Sequence, residues 1–76
     1  MAKTMDPAFF VAWRKNAGLT QLRLSEILDA NISTIKKWEA GTRRIPSYMG
    51  LLMAAIDKGL EPLGAEAMIE VEDHKS

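Results

Sequence analysis

A chain of 76 residues with 47% hydrophobic content makes one small domain with a single core rather than a disordered or multidomain protein. It has no cysteine, which excludes a disulfide framework and a thiolate metal site and leaves stability to packing, alone or with self-association. The formal net charge is zero but unevenly placed: residues 1–46 carry eight Lys or Arg against four acids, and residues 47–76 carry two Lys against six acids.

In chain order, Asp6-Pro7 reads as a helix start, a capping carboxylate followed by Pro where its missing N–H costs nothing. Phe10, Trp13 and Ala17 recur at intervals of three and four, predicting a first helix with a buried stripe, and Gly18 closes it. "LTQLRLSEIL" predicts a second helix capped by Thr20, with Leu24, Ile27 and Leu28 on the apolar face and Arg23 and Glu26 pointing elsewhere. Asp29-Ala30 breaks that pattern. Asn31 caps a third helix, "ISTIKKWEA", closed by Gly41, with Ile35 and Trp38 inward. "TRRIP" follows as a basic loop. Ser47, after Pro46, is expected to cap a fourth helix, "YMGLLMAAIDK", with Leu51, Leu52, Ala55 and Ile56 inward, and Gly59 stops it.

The tail "LEPLGAEAMIEVEDHKS" leaves two readings open. "AMIEVE" alternates like a strand, with Ala67, Ile69 and Val71 on one side and Met68, Glu70 and Glu72 on the other, while "LGAEAMIE" also suits a short helix. The expected organisation is a flexible N-terminus at 1–5, the folded helical domain at 6–60, and an acidic C-terminal segment at 61–76 that serves as a dimerisation strand or short helix. The elements are four short helices with brief connections, hence one all-α bundle of four to five helices.

The longest apolar run, "LLMAAI", is too short to span a membrane, and "MAKTMDPAFF" lacks the apolar core of a secretory signal, so the expected location is cytoplasmic. The single histidine, His74, lies near the end of the chain. With no thiol, no metal-ligand cluster and no phosphate-cradling glycine run, no catalytic residue, cofactor or metal is expected, and the chain reads as a non-enzyme. Phe9, Phe10, Trp13 and Trp38 could stack on single-stranded bases, but helical spacing favours core for Phe10 and Trp38. Met49, Met53 and Met68 read as packing residues.

The distribution of charge does point to a partner. A polyanion is attracted by the first half and repelled by the second. Four cations, Lys36, Lys37, Arg43 and Arg44, lie within nine residues. Only "DAN" separates helices two and three, a connection too tight for antiparallel packing along their length. The two should cross steeply, as in a helix-turn-helix; an ordinary pair in a bundle is the alternative on spacing alone.

At this point the residues carry a resemblance. "RKNAGLTQ", then "LSEIL", then "STIKKWEAGTRRIP" resembles the Cro/phage-repressor helix-turn-helix family, also called the xenobiotic-response-element regulators, over about Phe10 to Ile56. The resemblance implies a compact repressor-like DNA-binding domain over residues 6–60. It implies that Gln21, at the start of helix two, meets a DNA phosphate with help from the positive helix end. Thr42, Arg43 and Arg44 would hold the backbone on the other side of the groove, with Lys36 as a flanking backbone contact. Ile32, Ser33 and Lys37 fall where the family reads base edges: Lys37 can donate to guanine, Ser33 can pair with several bases, and Ile32 can touch only a thymine methyl. Ile32 equally suits core filling, because it lies three residues before Ile35 and beside the small Ala30. The resemblance also pairs Arg14 with Glu39 as an ion pair that fixes the angle of helix three.

Two positions depart from the family pattern. Asp29 stands where the turn often has Gly, and Ser25 where Ala is common. Asp tolerates a left-handed backbone, and the Ser hydroxyl can bond back to a carbonyl of its own helix.

The expected function is a sequence-specific regulator of transcription, a repressor that binds double-stranded DNA at a palindromic operator as a homodimer. The acidic tail, helix four, Leu22 and Met49 are the apolar surfaces available for dimerisation. The alternative is an antitoxin-like or phage accessory protein whose acidic C-terminal segment holds a protein partner.

Overall fold

The computed structural model describes residues 3–71. Four α-helices follow one another: α1 (Pro7–Asn16), α2 (Gln21–Leu28), α3 (Ile32–Ala40) and α4 (Met49–Asp57), with a 3-10 turn at Ala65–Ala67. There is no strand among the described residues, so the protein is a small all-α domain. No helix is long and apolar enough to cross a membrane among the residues described.

The first three helices begin where the side chains predict. Asp6 Oδ1 accepts from the Ala8 N–H at 3.0 Å, and Pro7 opens α1. Thr20 Oγ1 accepts from the Arg23 N–H at 3.0 Å. Asn31 Oδ1 accepts from the Ser33 N–H at 2.8 Å. Each cap replaces one of the hydrogen bonds that a helix start cannot make to itself.

Closure is equally regular. After α1 the Leu19 N–H reaches the Arg14 carbonyl and the Gly18 N–H the Lys15 carbonyl. After α2, Ala30 and Asp29 make the same two bonds to Ser25 and Glu26. After α3, Thr42 and Gly41 make them to Lys37 and Trp38. This double closure requires a left-handed residue after the helix. At the α2–α3 turn that residue is Asp29, at φ 53°, the one non-glycine residue with positive φ among those described. The departure from glycine is therefore accommodated by a strained aspartate.

α3 packs against both α1 and α2. The core is Phe10, Leu24, Ile35, Trp38, Ile45, Met49 and Met53, with Met5, Trp13, Leu19, Leu28 and Ile56 packed around it. Phe10 meets Trp38 edge to face, ring centroids 6.0 Å apart, a favoured aromatic geometry. The Ser25 hydroxyl donates back to the Leu22 carbonyl at 2.6 Å, satisfying itself inside its own helix where it is buried. Met5 lies against the core, so the segment before α1 is anchored rather than free at that residue.

Four expectations are corrected. Ser47 does not cap α4: the helix starts two residues later, at Met49, and its cap position, Tyr48, makes no side-chain bond. A turn closed by Met49 N–H to the Pro46 carbonyl feeds the helix directly, with Tyr48 already in helical conformation. The inward face of α4 is Met49, Met53 and Ile56, not Leu51 and Leu52; Leu51 is 75% exposed. Met49 and Met53, one turn apart, are buried in the core, and this sets the rotation of the helix. Met49, buried, is thus no dimerisation surface, whereas Leu22 is exposed. On α1 and α2, Ala17 and Ile27 sit at the solvent edge of their stripes.

In the tail, Gly64 leads into the 3-10 turn, and residues 68–71 have no regular structure. Alternation in "AMIEV" finds no partner strand to pair its N–H and C=O groups, and Met68 is exposed rather than packed. Glu72 and His74 lie outside the described residues.

Candidate nucleic-acid interface

α3 divides its residues between two faces. Ile35 and Trp38 are buried, while Ser33, Lys36, Lys37 and Ala40 are exposed. Positions 33, 36, 37 and 40 are three and four apart, so they form one solvent stripe along the helix. Ile32 is half-buried and stands outside the core cluster, at the margin between the faces. The Ser33 hydroxyl donates to Asn31 Oδ1 at 2.8 Å and keeps its lone pairs for a further partner.

Behind the stripe, one acidic side chain gathers three elements. Glu39 Oε2 accepts from Arg14 Nε at 2.6 Å and Oε1 from Arg14 Nη2 at 3.1 Å, the two-pronged geometry that a planar guanidinium permits. Arg14 also donates through Nη1 to the Leu19 carbonyl at 2.9 Å, tying down the α1–α2 loop. The Gln21 amide, from the first residue of α2, donates through Nε2 to Glu39 Oε1 at 3.0 Å. α3 is thereby held to α1 and α2 by one polar cluster. Both side chains of the ion pair are about nine-tenths buried, and no buried side-chain polar atom is left without a partner among the described residues.

The protonation of Glu39 follows from these contacts. Burial pushes its carboxyl upward, but hydrogen bonds from Arg14 and Gln21 and the charges of Arg14 and Lys15 outweigh it, leaving the group below its ordinary value. Glu39, the sole acid of α3, is therefore ionised and neutralised from within, and it adds no exposed negative charge to the stripe.

The basic loop is anchored at both ends. Gly41 adopts φ 78°, and Ile45, almost fully buried, pins the far side. Between them Thr42, Arg43 and Arg44 are exposed. The Lys37 carbonyl accepts from the Thr42 N–H at 3.0 Å, the Arg43 N–H at 3.3 Å and the Thr42 hydroxyl at 3.3 Å. This ties the loop to the last turn of α3. Arg44 Nη2 donates to the Lys3 carbonyl at 3.4 Å.

Lys36, Lys37, Thr42, Arg43 and Arg44 thus share the C-terminal end of α3 and its loop, with Ser33 one turn away on the same stripe. Gln21 differs from expectation. Its amide is turned onto Glu39 and half-buried, so it supports the cluster behind α3, while the helix start it occupies remains at the surface beside Thr20. Two relationships were not foreseen: Gln21 with Glu39, 18 residues apart, and Lys3 with Arg44, 41 apart. Neither has a local periodicity that would reveal it. Comparison with protein-family models, with curated proteins and with solved structures gives no match for this chain.

Proposed function

We propose that this protein is a sequence-specific regulator of the Cro/phage-repressor type that binds duplex DNA through α3 and acts as a repressor in dimeric form. The observation that carries this reading is the two-sided build of α3. Its rear is locked by Glu39 to Arg14 and Gln21, while its front presents Ser33, Lys36 and Lys37 to solvent beside Arg43 and Arg44. A rigid helix with a cationic, polar front suits the major groove, which is wide enough to admit it.

In this reading Lys37 donates to guanine O6 and N7, and Ser33 pairs with a neighbouring base edge. Ile32, at the margin of the stripe, contacts a thymine methyl. Lys36, Thr42, Arg43 and Arg44 hold phosphates, which fix register without reading sequence. Gln21 contributes through the α2 start, where backbone N–H groups and the positive helix end favour a phosphate, while its side chain steadies Glu39.

One recognition helix makes few base contacts, each worth about 1–3 kcal/mol, too little to select an operator among genomic competitors. Two copies on a palindromic site double the readout. The test is binding to random duplex at low salt, followed by site selection from a random library. Binding should appear at low salt and yield a palindromic motif. Absence of any duplex binding at low ionic strength would overturn the reading.

A further inference from the structure

The segment ahead of α1 is seated against the basic loop. Arg44 Nη2 donates to the Lys3 carbonyl at 3.4 Å. Met5 packs against the core, and a Cβ added at Gly50 would lie 3.9 Å from its Cε, which sets Met5 beside the start of α4. A Cβ at Gly41 would lie 3.9 Å from Pro7 Cγ, so the first residue of α1 stands beside the closure of α3. Residues 3–7 therefore touch the chain on both sides of the loop that carries Arg43 and Arg44. The charge at this junction is uncompensated. No acidic residue occurs from Gly41 to Ile56. Among the described residues the ion pairs are Arg14–Glu39 and Arg23–Glu26, so Lys3, Arg43 and Arg44 belong to none. The one acid of the segment, Asp6, is committed through Oδ1 to the Ala8 N–H. Lys3, like both arginines, is exposed. Cations gathered without an anion raise the local potential and attract a polyanion.

We infer that residues 3–5 form a third part of the nucleic-acid surface, in which Lys3 holds a DNA phosphate and Arg44 positions it. The inference rests on the regulator reading and adds to it a contact that neither α3 nor its loop supplies. A lysine ammonium is a compact point charge on a flexible four-carbon stem, which suits a phosphate oxygen better than the fixed donor and acceptor pattern of a base edge. The backbone that carries this stem is fixed at the Lys3 carbonyl by Arg44 and two residues later by the burial of Met5. Arg44 serves two partners at once. A guanidinium has five N–H donors, and the Lys3 carbonyl takes one of them, leaving the others for a phosphate of its own. Lys3 and Arg44 thus meet neighbouring positions on one DNA strand, although 41 residues separate them in the chain.

The test is binding of the full chain to selected and random duplexes at 50 and 200 mM salt. Lys3→Ala should weaken both duplexes by the same factor, because a phosphate carries no sequence. Each lost phosphate contact removes about 0.9 from the slope of log affinity against log salt. The ratio of wild-type to variant affinity should therefore shrink roughly 3.5-fold across that range for each chain bound. Lys3→Arg should restore most of the binding. Lys58→Ala removes the same charge at the far end of α4 and should cost less, with a slope near wild type. In an Arg44→Ala background Lys3→Ala should cost less than it does in wild type, the mark of a side chain that Arg44 positions. A loss for Lys3→Ala no larger than for Lys58→Ala, or one confined to the selected duplex, would overturn the phosphate contact. Additive losses with Arg44→Ala would overturn the positioning role. A wild-type chain that binds no duplex would sink the regulator reading and this contact with it, whereas undiminished binding by Lys3→Ala would sink the contact alone.

Discussion

The indole N–H of Trp13 donates to Asp57 Oδ1 at 3.0 Å, joining α1 to the last residue of α4 across 44 positions of chain. Alongside the core contacts of Met49 and Met53, it is a polar tie between α4 and the bundle. Asp57→Ala should lower the unfolding free energy by about 0.5–1.5 kcal/mol, the usual net worth of one such bond. Asp57→Asn should keep most of it: an acceptor remains, and a negative charge at a helix C-terminus is unfavourable in any case. Urea melts of the two variants provide the check, and equal losses would contradict the assigned bond.

The Arg14–Glu39 pair should be far more sensitive. Glu39→Ala leaves a guanidinium that is only 9% exposed without its counter-charge, and removing one partner of a buried pair costs about 3–5 kcal/mol. A 76-residue domain has little stability to lose, so the variant should be largely unfolded at 37 °C by circular dichroism. A melt matching wild type would remove the lock from the account of α3.

The same carboxylate sets a pH dependence. Its folded pKa lies below its ordinary value of about 4.5, so its contribution is present in full above that value. That contribution is lost as pH falls through the folded value. Glu39→Gln, which cannot ionise, should show a shallower decline in melting temperature below about pH 5 than wild type. Parallel curves would assign the acid sensitivity to other carboxylates.

Asp29 sits at φ 53° and ψ 43°, where a Cβ costs roughly 1–2 kcal/mol, a cost that glycine escapes and that Asn and Asp offset in part through their short polar side chains. Asp29→Ala should therefore destabilise by about 1 kcal/mol, and Asp29→Gly should match or exceed wild type. Thermal denaturation would separate the two; an Ala variant as stable as Gly would show that the turn is not strained.

The proposed DNA contacts divide by type. Lys37→Ala should flatten base preference, while Arg43→Ala or Arg44→Ala should weaken all duplexes alike and reduce the salt slope by about one per lost phosphate contact. If a dimer neutralises about six to ten phosphates, affinity should fall by roughly three to five orders between 50 and 200 mM salt. Fluorescence anisotropy on selected and random duplexes would report both, and identical losses for all three variants on both DNAs would dissolve the division.

The elements governed by local chemistry were legible in the sequence. The caps Asp6, Thr20 and Asn31 and the closures at Gly18 and Gly41 act within a few residues, so their neighbours suffice to place them. Phe10, Leu24, Ile35 and Trp38 were legible as core because helical period sorts them. α4 was not, since "MGLLMAAI" is apolar on every side and period cannot choose a face; burial of Met49 and Met53 in the shared core decides it. The tail failed for a related reason: a strand needs a partner, and alternation alone does not name one. Of the site, Arg14 and Glu39 came through resemblance, whereas the amide of Gln21 and the carbonyl of Lys3 enter through long-range geometry that no short window contains.

The separation of charge in this neutral chain, cations at the end of α3 and exposed Glu61, Glu66 and Glu70 on the tail, makes the molecule a dipole with no net monopole. In the non-uniform field of a charged rod such a molecule is turned arginines forward and drawn in, with less force than a net cation would feel. Both effects act within about 10 Å, the screening length at 0.1 M salt. Such a molecule trades speed of capture for fewer misaligned encounters.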